Sequence, residues 1–395
     1  MPVQPARDWA CPLPSALLLM VPFDLLASLA MDVYLPVIPQ MPAALDTSPA
    51  LVQLTLSAYM LAVGLGQLLF GPLSDRIGRR PVVLGGALLF SLASLALAAT
   101  QGGGLFLALR VAQALGASAA LVATFATVRD VYAGTPQGNT IYGLFGAILA
   151  FVPALGPIVG AAVALGLGWR AIFVLLGLSG LVACARAWPR WHETRPGRSH
   201  GRGAGFARIL RDAPFRAYTL GFGAAMGTFF VFFSIAPRVL IGTAGMPPMA
   251  FSAAFATVAL VMILATRTVG RFVVRWGVAG CCARGALTMV AGAVLLGICT
   301  FALPPSFVAL VVPMWVIAVG IVLVVSVTAN GALAAFGEEA GAAVALYYCL
   351  QGLLAVGPGT LMVLLLDGDT AWPLVAYALF MPALSLAGLW TIRRA

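Results

Sequence analysis

A chain of 395 residues that is 62% hydrophobic and only 9% charged is excluded from the soluble globular class, because so little charge cannot furnish a water-facing surface of that size. The net charge of +10 comes from 22 basic residues, every one an arginine, set in short loops between apolar runs, where they mark membrane topology and argue against nucleic acid as a partner. The six cysteines, Cys11, Cys184, Cys281, Cys282, Cys299 and Cys349, show no CxxC spacing and read as apolar filler, with neither a disulfide frame nor a metal site expected.

A hydrocarbon core of about 30 Å takes about 20 helical residues per crossing, and twelve runs meet that length. The first six cover 15–39, 50–72, 80–100, 104–127, 138–165 and 168–188. The second six cover 214–240, 249–273, 278–302, 305–330, 340–366 and 370–392. The expected fold is therefore an all-α polytopic membrane protein. Its domains are a six-helix half over 1–188, a Gly-, Pro- and Arg-rich linker over 189–213, and a second six-helix half over 214–395. Nineteen of the arginines fall in alternate loops on one side; only Arg170 and Arg238 fall on the other, and Arg110 lies within a run. By the positive-inside rule both termini are cytoplasmic.

The first run, SALLLMVPFDLLASLAMDVYLPVIP, is longer than a signal-peptide core and holds two acids, Asp24 and Asp32, so it is read as a retained helix. Charge at membrane depth costs a few kcal/mol or more, which makes an intramembrane acid a functional candidate by default. Tyr34 follows two residues later. After the second run comes GPLSDRIGRRP, where Gly71 and Gly78 permit a tight reversal and Asp75, Arg76, Arg79 and Arg80 supply charge at the membrane surface.

Arg110 in the fourth run is the one basic residue inside a span, and a guanidinium there calls for a partner. At about 1.5 Å per residue, Asp24 lies roughly 13 Å from the inner surface, Asp32 roughly 25 Å and Arg110 roughly 22 Å. Asp32 fits that depth better, although a boundary shift of three residues moves each value by about 5 Å and leaves both acids open as partners. In the fifth run, Gly156, Pro157 and Gly160 place small residues four apart around a proline, enough for close helix packing with a kink. Phe229, Phe230, Phe232 and Phe233 crowd the seventh run; they suit stacking on an aromatic ligand and suit ordinary packing equally well. Tyr59, Tyr347 and Tyr348 are weaker cavity candidates. His192 and His200 sit in the linker without ligand spacing. No P-loop, zinc helix or nucleophile elbow occurs, so no enzyme activity is expected.

A weak repeat at an offset of about 200 residues pairs Pro36 with Pro237, Arg76-Ile-Gly78 with Arg275-Trp-Gly277, and Gly156-Pro157 with Gly357-Pro358. Val274 stands where the second copy would carry the acid of the first, and Leu310 falls near the position matching Arg110. Polar chemistry is thus expected in the first half.

Tandem six-helix halves joined by a loop resemble the major facilitator transporters. Residue by residue, the turn at Gly71, Asp75, Arg76, Gly78, Arg79 and Arg80 resembles their cytoplasmic signature loop, which implies a gate. Arg110, Gln113 and Gly116 resemble the fourth-helix motif, with Ala114 a departure. Gly156, Pro157 and Gly160 resemble the antiporter motif of drug/proton exchangers, with Ala161 a departure. Whole segments, among them PFDLLASLAMDVYLPVIP, ATFATVRDVYAG, FVPALGPIVGA, GWRAIF and VSVTANGALA, resemble the phenicol exporters of the drug/proton antiporter family.

That resemblance implies export of small, neutral, aromatic phenicols such as chloramphenicol and florfenicol, in exchange for protons, by a multi-pass monomer of the bacterial inner membrane. The proton gradient serves as energy source and no cofactor is implied. Asp24, Asp32, Arg110, Tyr34, Phe229 and Phe233 become the coupling and substrate candidates, with Asp24 favoured as the proton or drug carboxylate and Asp32 as the partner of Arg110. Export of another small metabolite, or of a broader range of drugs, is the alternative on the same scaffold.

Overall fold

The computed structural model describes residues 12–132, 135–194, 206–336 and 340–394. Arg7, Cys11, Arg195, Arg198, His200 and Arg202 lie outside the described residues. The chain divides into two compact units, Met1–Arg202 and Gly203–Ala395.

In the first unit the long helices are α1 (Leu13–Asp32), α2 (Pro49–Ile77), α3 (Arg79–Ala99), α4 (Gly103–Tyr132), α5 (Pro136–Leu167) and α6 (Trp169–Ala187). Their ends follow local chemistry. Ser48 and Thr135 accept from the backbone N–H groups of Leu51 and Gly138, capping α2 and α5, and each is followed by a proline in the first turn, where the missing donor costs nothing. The break between α2 and α3 falls on Gly78 at φ 110°, a left-handed conformation that glycine adopts without strain. α1 ends at Asp32 and continues as a 3-10 turn, Leu35–Gln40, whose prolines Pro36 and Pro39 lack the N–H groups an α-helix would need. Small residues let α4 approach its neighbours closely: Gly116 faces the α3 backbone at Gly86 and Phe90, and Gly66 of α2 faces Ser118.

In the second unit, α7 (Ala213–Pro237) is capped by Asp212 and runs into a π-helical turn, Arg238–Thr243. A 55-residue helical stretch, Pro248–Ala302, follows. At about 1.5 Å per residue it is more than twice the thickness of a bilayer core, and it breaks at Gly277, where φ is 66°, into α8 (248–276) and α9 (278–302). α10 (Phe307–Leu333), α11 (Ala340–Leu365) and α12 (Trp372–Arg394) complete it. Gly78 and Gly277, paired by the repeat, are both breaks at positive φ.

Among the described residues, ten segments are long and apolar enough to cross a membrane, the 55-residue stretch counting as one; of α5, only the apolar part Phe151–Leu167 falls in the shorter class. No strand occurs among the described residues.

Candidate functional site

α1 is the axis of the first unit's polar site. Asp24 and Asp32, both buried, lie eight residues apart, about 12 Å along the helix. Between them, two neighbouring helices tie onto buried backbone carbonyls of α1. The Tyr59 hydroxyl, from α2, donates to the Ala27 carbonyl at 2.9 Å. Arg110 Nη1, from α4, donates to the Ala30 carbonyl at 3.1 Å. Ala27 and Ala30 are three residues apart and so share one helix face.

Arg110 is fully buried, and its partners are not those expected from the sequence. Among the described residues no ion pair joins it to Asp24 or Asp32. The charge is met by other means. The last turn of an α-helix leaves carbonyls without intrahelical donors and carries partial negative charge, and Arg110 reaches one of those carbonyls. Nη1 also donates to Gln113 Oε1 at 2.6 Å, and Gln113 Nε2 donates in turn to Ser94 Oγ at 2.8 Å, passing the network from α4 to α3. The guanidinium carbon stands 4.2 Å from the Tyr59 ring centroid and 5.0 Å from that of Tyr34. A desolvated cation–π contact contributes about 2 kcal/mol and a hydrogen bond to a charged group about 1.5–3 kcal/mol, so this set offsets much of the burial cost without a carboxylate. Nε and Nη2 have no partner among the described residues.

α5 closes against the end of α1 through the predicted glycines. A Cβ built on Gly156 would stand 2.6 Å from Asp32 Cβ, and one on Gly160 would run into the Val33 carbonyl. Only glycine permits that approach. Asp32, Tyr34, Arg110, Gly156 and Gly160 are therefore brought together around one helix end. Near the middle of α1, beside Asp24, Phe23 meets Trp191 of the linker edge to face, with centroids 5.5 Å apart.

The GPLSDRIGRRP turn is held by charges that its own spacing did not reveal. Arg79, on the first residue of α3, is buried and pairs with Asp75 one turn earlier; its Nε also bonds to Asp130 at the end of α4, 2.9 Å away, and Nη1 donates to Ser74 Oγ at 2.6 Å. The Glu193 carboxylate accepts from the backbone N–H groups of Arg79, at 2.8 Å, and Arg80, at 3.2 Å. Two orphan donors at a helix N-terminus are thereby satisfied by a negative charge. Gly78 faces the same carboxylate, leaving no room for a Cβ, and the Arg80 side chain donates to the Trp188 carbonyl at 2.9 Å.

In the second unit, Phe229 and Phe233 of α7 belong to an aromatic cluster whose centre is Phe255 of α8. Phe255 stacks on Phe232 at 5.2 Å and 13°, and meets Phe233 at 5.9 Å and Phe229 at 6.3 Å. Phe233 is buried and Phe229 half-buried. The stacked pair of Tyr347 and Phe222, at 4.8 Å, forms a separate group.

Apolar helices of membrane-crossing length, broken by glycine turns and carrying a buried arginine and two buried acids, define an integral membrane transporter. The sequence profile of the Major Facilitator Superfamily matches residues 24–360, and the chain belongs to that family. More particularly, it is 48% identical to a chloramphenicol resistance protein of Pseudomonas aeruginosa over 98% of this chain and 92% of that one. It is 29% identical to the multidrug resistance protein MdtL of Shewanella oneidensis over 60% of each chain. Its fold matches the crystal structure of a bacterial homolog of the human lysosomal transporter Spinster in an inward-facing, occupied conformation, with a TM-score of 0.77, 15% identity and 98% of both chains covered.

Proposed function

We propose that this transporter exports phenicol antibiotics, chloramphenicol and florfenicol, across the bacterial inner membrane in exchange for protons. The observation that carries this reading is the 48% identity, over nearly the whole length, to a protein named for chloramphenicol resistance. The family membership supports alternating access between two halves, here 1–188 and 214–395. Twelve crossings follow if Pro248–Ala302 crosses twice and α5 once, and the arginine distribution then puts both termini in the cytoplasm.

In this reading a buried acid of α1 carries the proton. Drug entering from the cytoplasm displaces it, the halves rock, and a proton from outside reloads the acid as drug leaves. One proton inward per neutral drug outward moves net charge, so the membrane potential contributes to the driving force. Because no ion pair ties Arg110 to either acid among the described residues, both Asp24 and Asp32 are available for that work. Each unit offers aromatic candidates for drug contact, Tyr34 in the first and Phe229 and Phe233 in the second. Asp75, Arg76, Arg79 and Arg80 with Gly71 and Gly78 serve the cytoplasmic gate, and Gly156, Pro157 and Gly160 hold α5 against α1 to limit proton leak. No cofactor takes part, and the monomer suffices.

The test is accumulation of labelled chloramphenicol in cells expressing the protein. Expression should lower accumulation, and an uncoupler should restore it. Unchanged drug levels alongside export of an unrelated metabolite would favour the alternative cargo.

A further inference from the structure

The break between α8 and α9 repeats the backbone of the GPLSDRIGRRP turn without its counter-charges. Arg267, Arg271 and Arg275 recur at four-residue steps, which places them on one face of α8, and all three are exposed. Arg284, on α9, is exposed as well, with its guanidinium 4.7 Å above the Trp276 ring. Trp276 stacks on Phe272, with centroids 4.6 Å apart and planes 15° apart. Among the described residues none of the four arginines has an ion pair, and the sequence holds no acid at all between Asp212 and Glu338.

The contrast with the first unit is direct. There, Arg79 is neutralised by Asp75 and Asp130, and the α3 N-terminus by Glu193. Here Val274, 90% exposed, replaces the acid. Like charges one turn apart disfavour a helix, so three in a row with no acid imply an anion supplied from outside the chain. Tryptophan at the end of an apolar helix sits at headgroup depth, and arginine forks match phosphate oxygens.

We infer that the exposed arginines at the α8–α9 break, with the stacked Phe272–Trp276 pair, form a binding site for the phosphate headgroup of an anionic phospholipid. Arg271 and Arg275 take the phosphate from α8, Arg284 closes from α9 while stacked on Trp276, and the aromatic pair rests on the upper acyl chain. The inference rests on the membrane reading of the chain and not on the identity of the drug.

It is tested on the full-length protein purified in a mild neutral detergent, with bound lipid counted by native mass spectrometry during titration with phosphatidylglycerol or phosphatidylcholine. No drug or proton gradient is involved, so a failure of the phenicol assignment leaves the result readable. Wild type should retain phosphatidylglycerol preferentially. The triple variant Arg271→Gln, Arg275→Gln, Arg284→Gln should lose about fivefold in affinity per arginine removed. Arg186→Gln, Arg190→Gln, Arg211→Gln, which removes equal charge elsewhere, should bind as wild type does. The lysine triple at 271, 275 and 284 guards against misfolding of the glutamine variant and should keep the preference. Equal retention of the two lipids by wild type, equal binding by the glutamine and wild-type proteins, or displacement of the lipid by inorganic phosphate alone would overturn the proposal.

Discussion

Gly156→Ala and Gly357→Ala are the same chemical change at positions paired by the repeat, and the first should be clearly the more destabilising. At Gly156 the added methyl would stand 2.6 Å from Asp32 Cβ, whereas carbon atoms rest at about 3.5–4.0 Å, so α1 and α5 must separate by roughly 1 Å. Overpacking of that kind costs about 1–3 kcal/mol, against the gain of about 0.5–1 kcal/mol from removing a glycine inside a helix. The net loss is about 0–2.5 kcal/mol. At Gly357 no atom of another part of the fold lies within 4 Å of the new Cβ, so the overpacking cost is absent, while the restriction from the following proline is common to both positions, Pro157 and Pro358. Thermal unfolding of the two detergent-solubilised variants beside wild type checks this, and drug accumulation in cells shows whether the displaced Asp32 still functions. Equal stability of the two variants, or a more stable Gly156→Ala, would refute the α1–α5 contact as described.

Four further outcomes follow from the site. Tyr59→Phe keeps the ring beneath Arg110 and loses only the bond to Ala27, so export should fall by less than about tenfold, whereas Tyr59→Leu removes the cation–π contact too and should fall further. Drug-uptake kinetics in inverted vesicles separate the two. Arg110→Lys preserves charge but cannot serve Ala30, Gln113 and two rings together; it should lose most transport in the same assay, and Arg110→Ala all of it. Wild-type rates in both would remove Arg110 from the mechanism. Glu193→Ala strips the α3 N-terminus of its carboxylate and should destabilise the protein by about 1 kcal/mol, seen as a lowered melting temperature. Phe255→Ala opens the centre of the α7–α8 aromatic cluster and should cost about 3–5 kcal/mol, with lower yield of folded protein in size-exclusion chromatography.

Most of the apolar runs, the break at Gly78 and the buried charges of the first unit each carry a signal that survives without coordinates, whereas Gly71, expected to share the reversal, lies inside α2. Membrane length is counted in residues, a buried charge stands out in an apolar run, and Gly156 and Gly160 announce close packing by their spacing. The partners of Arg110 were not legible. A depth argument can only match side chain to side chain, while the guanidinium chose a backbone carbonyl, which every residue possesses, and two tyrosine faces. Glu193 was hidden for a related reason: it lies in a polar linker where acids are unremarkable, and its role comes from the fold returning that linker to Gly78 and Arg79. Phe255 gave no signal of its own in the sequence, because the ring that organises the cluster comes singly from α8, outside the dense aromatic run of α7. The break at Gly277 was visible as a span boundary, yet its unmatched arginines gained meaning only beside the neutralised ones at Gly78.

The central claim is that drug export is coupled to protons through the acids of α1. Proteoliposomes carrying an internal pH indicator test it most directly: chloramphenicol added to wild-type vesicles under an imposed pH gradient should move protons, an uncoupler should abolish the response, and Asp24→Asn and Asp32→Asn should each reduce it sharply. Drug movement indifferent to the gradient, or full proton movement in both variants, would contradict the account.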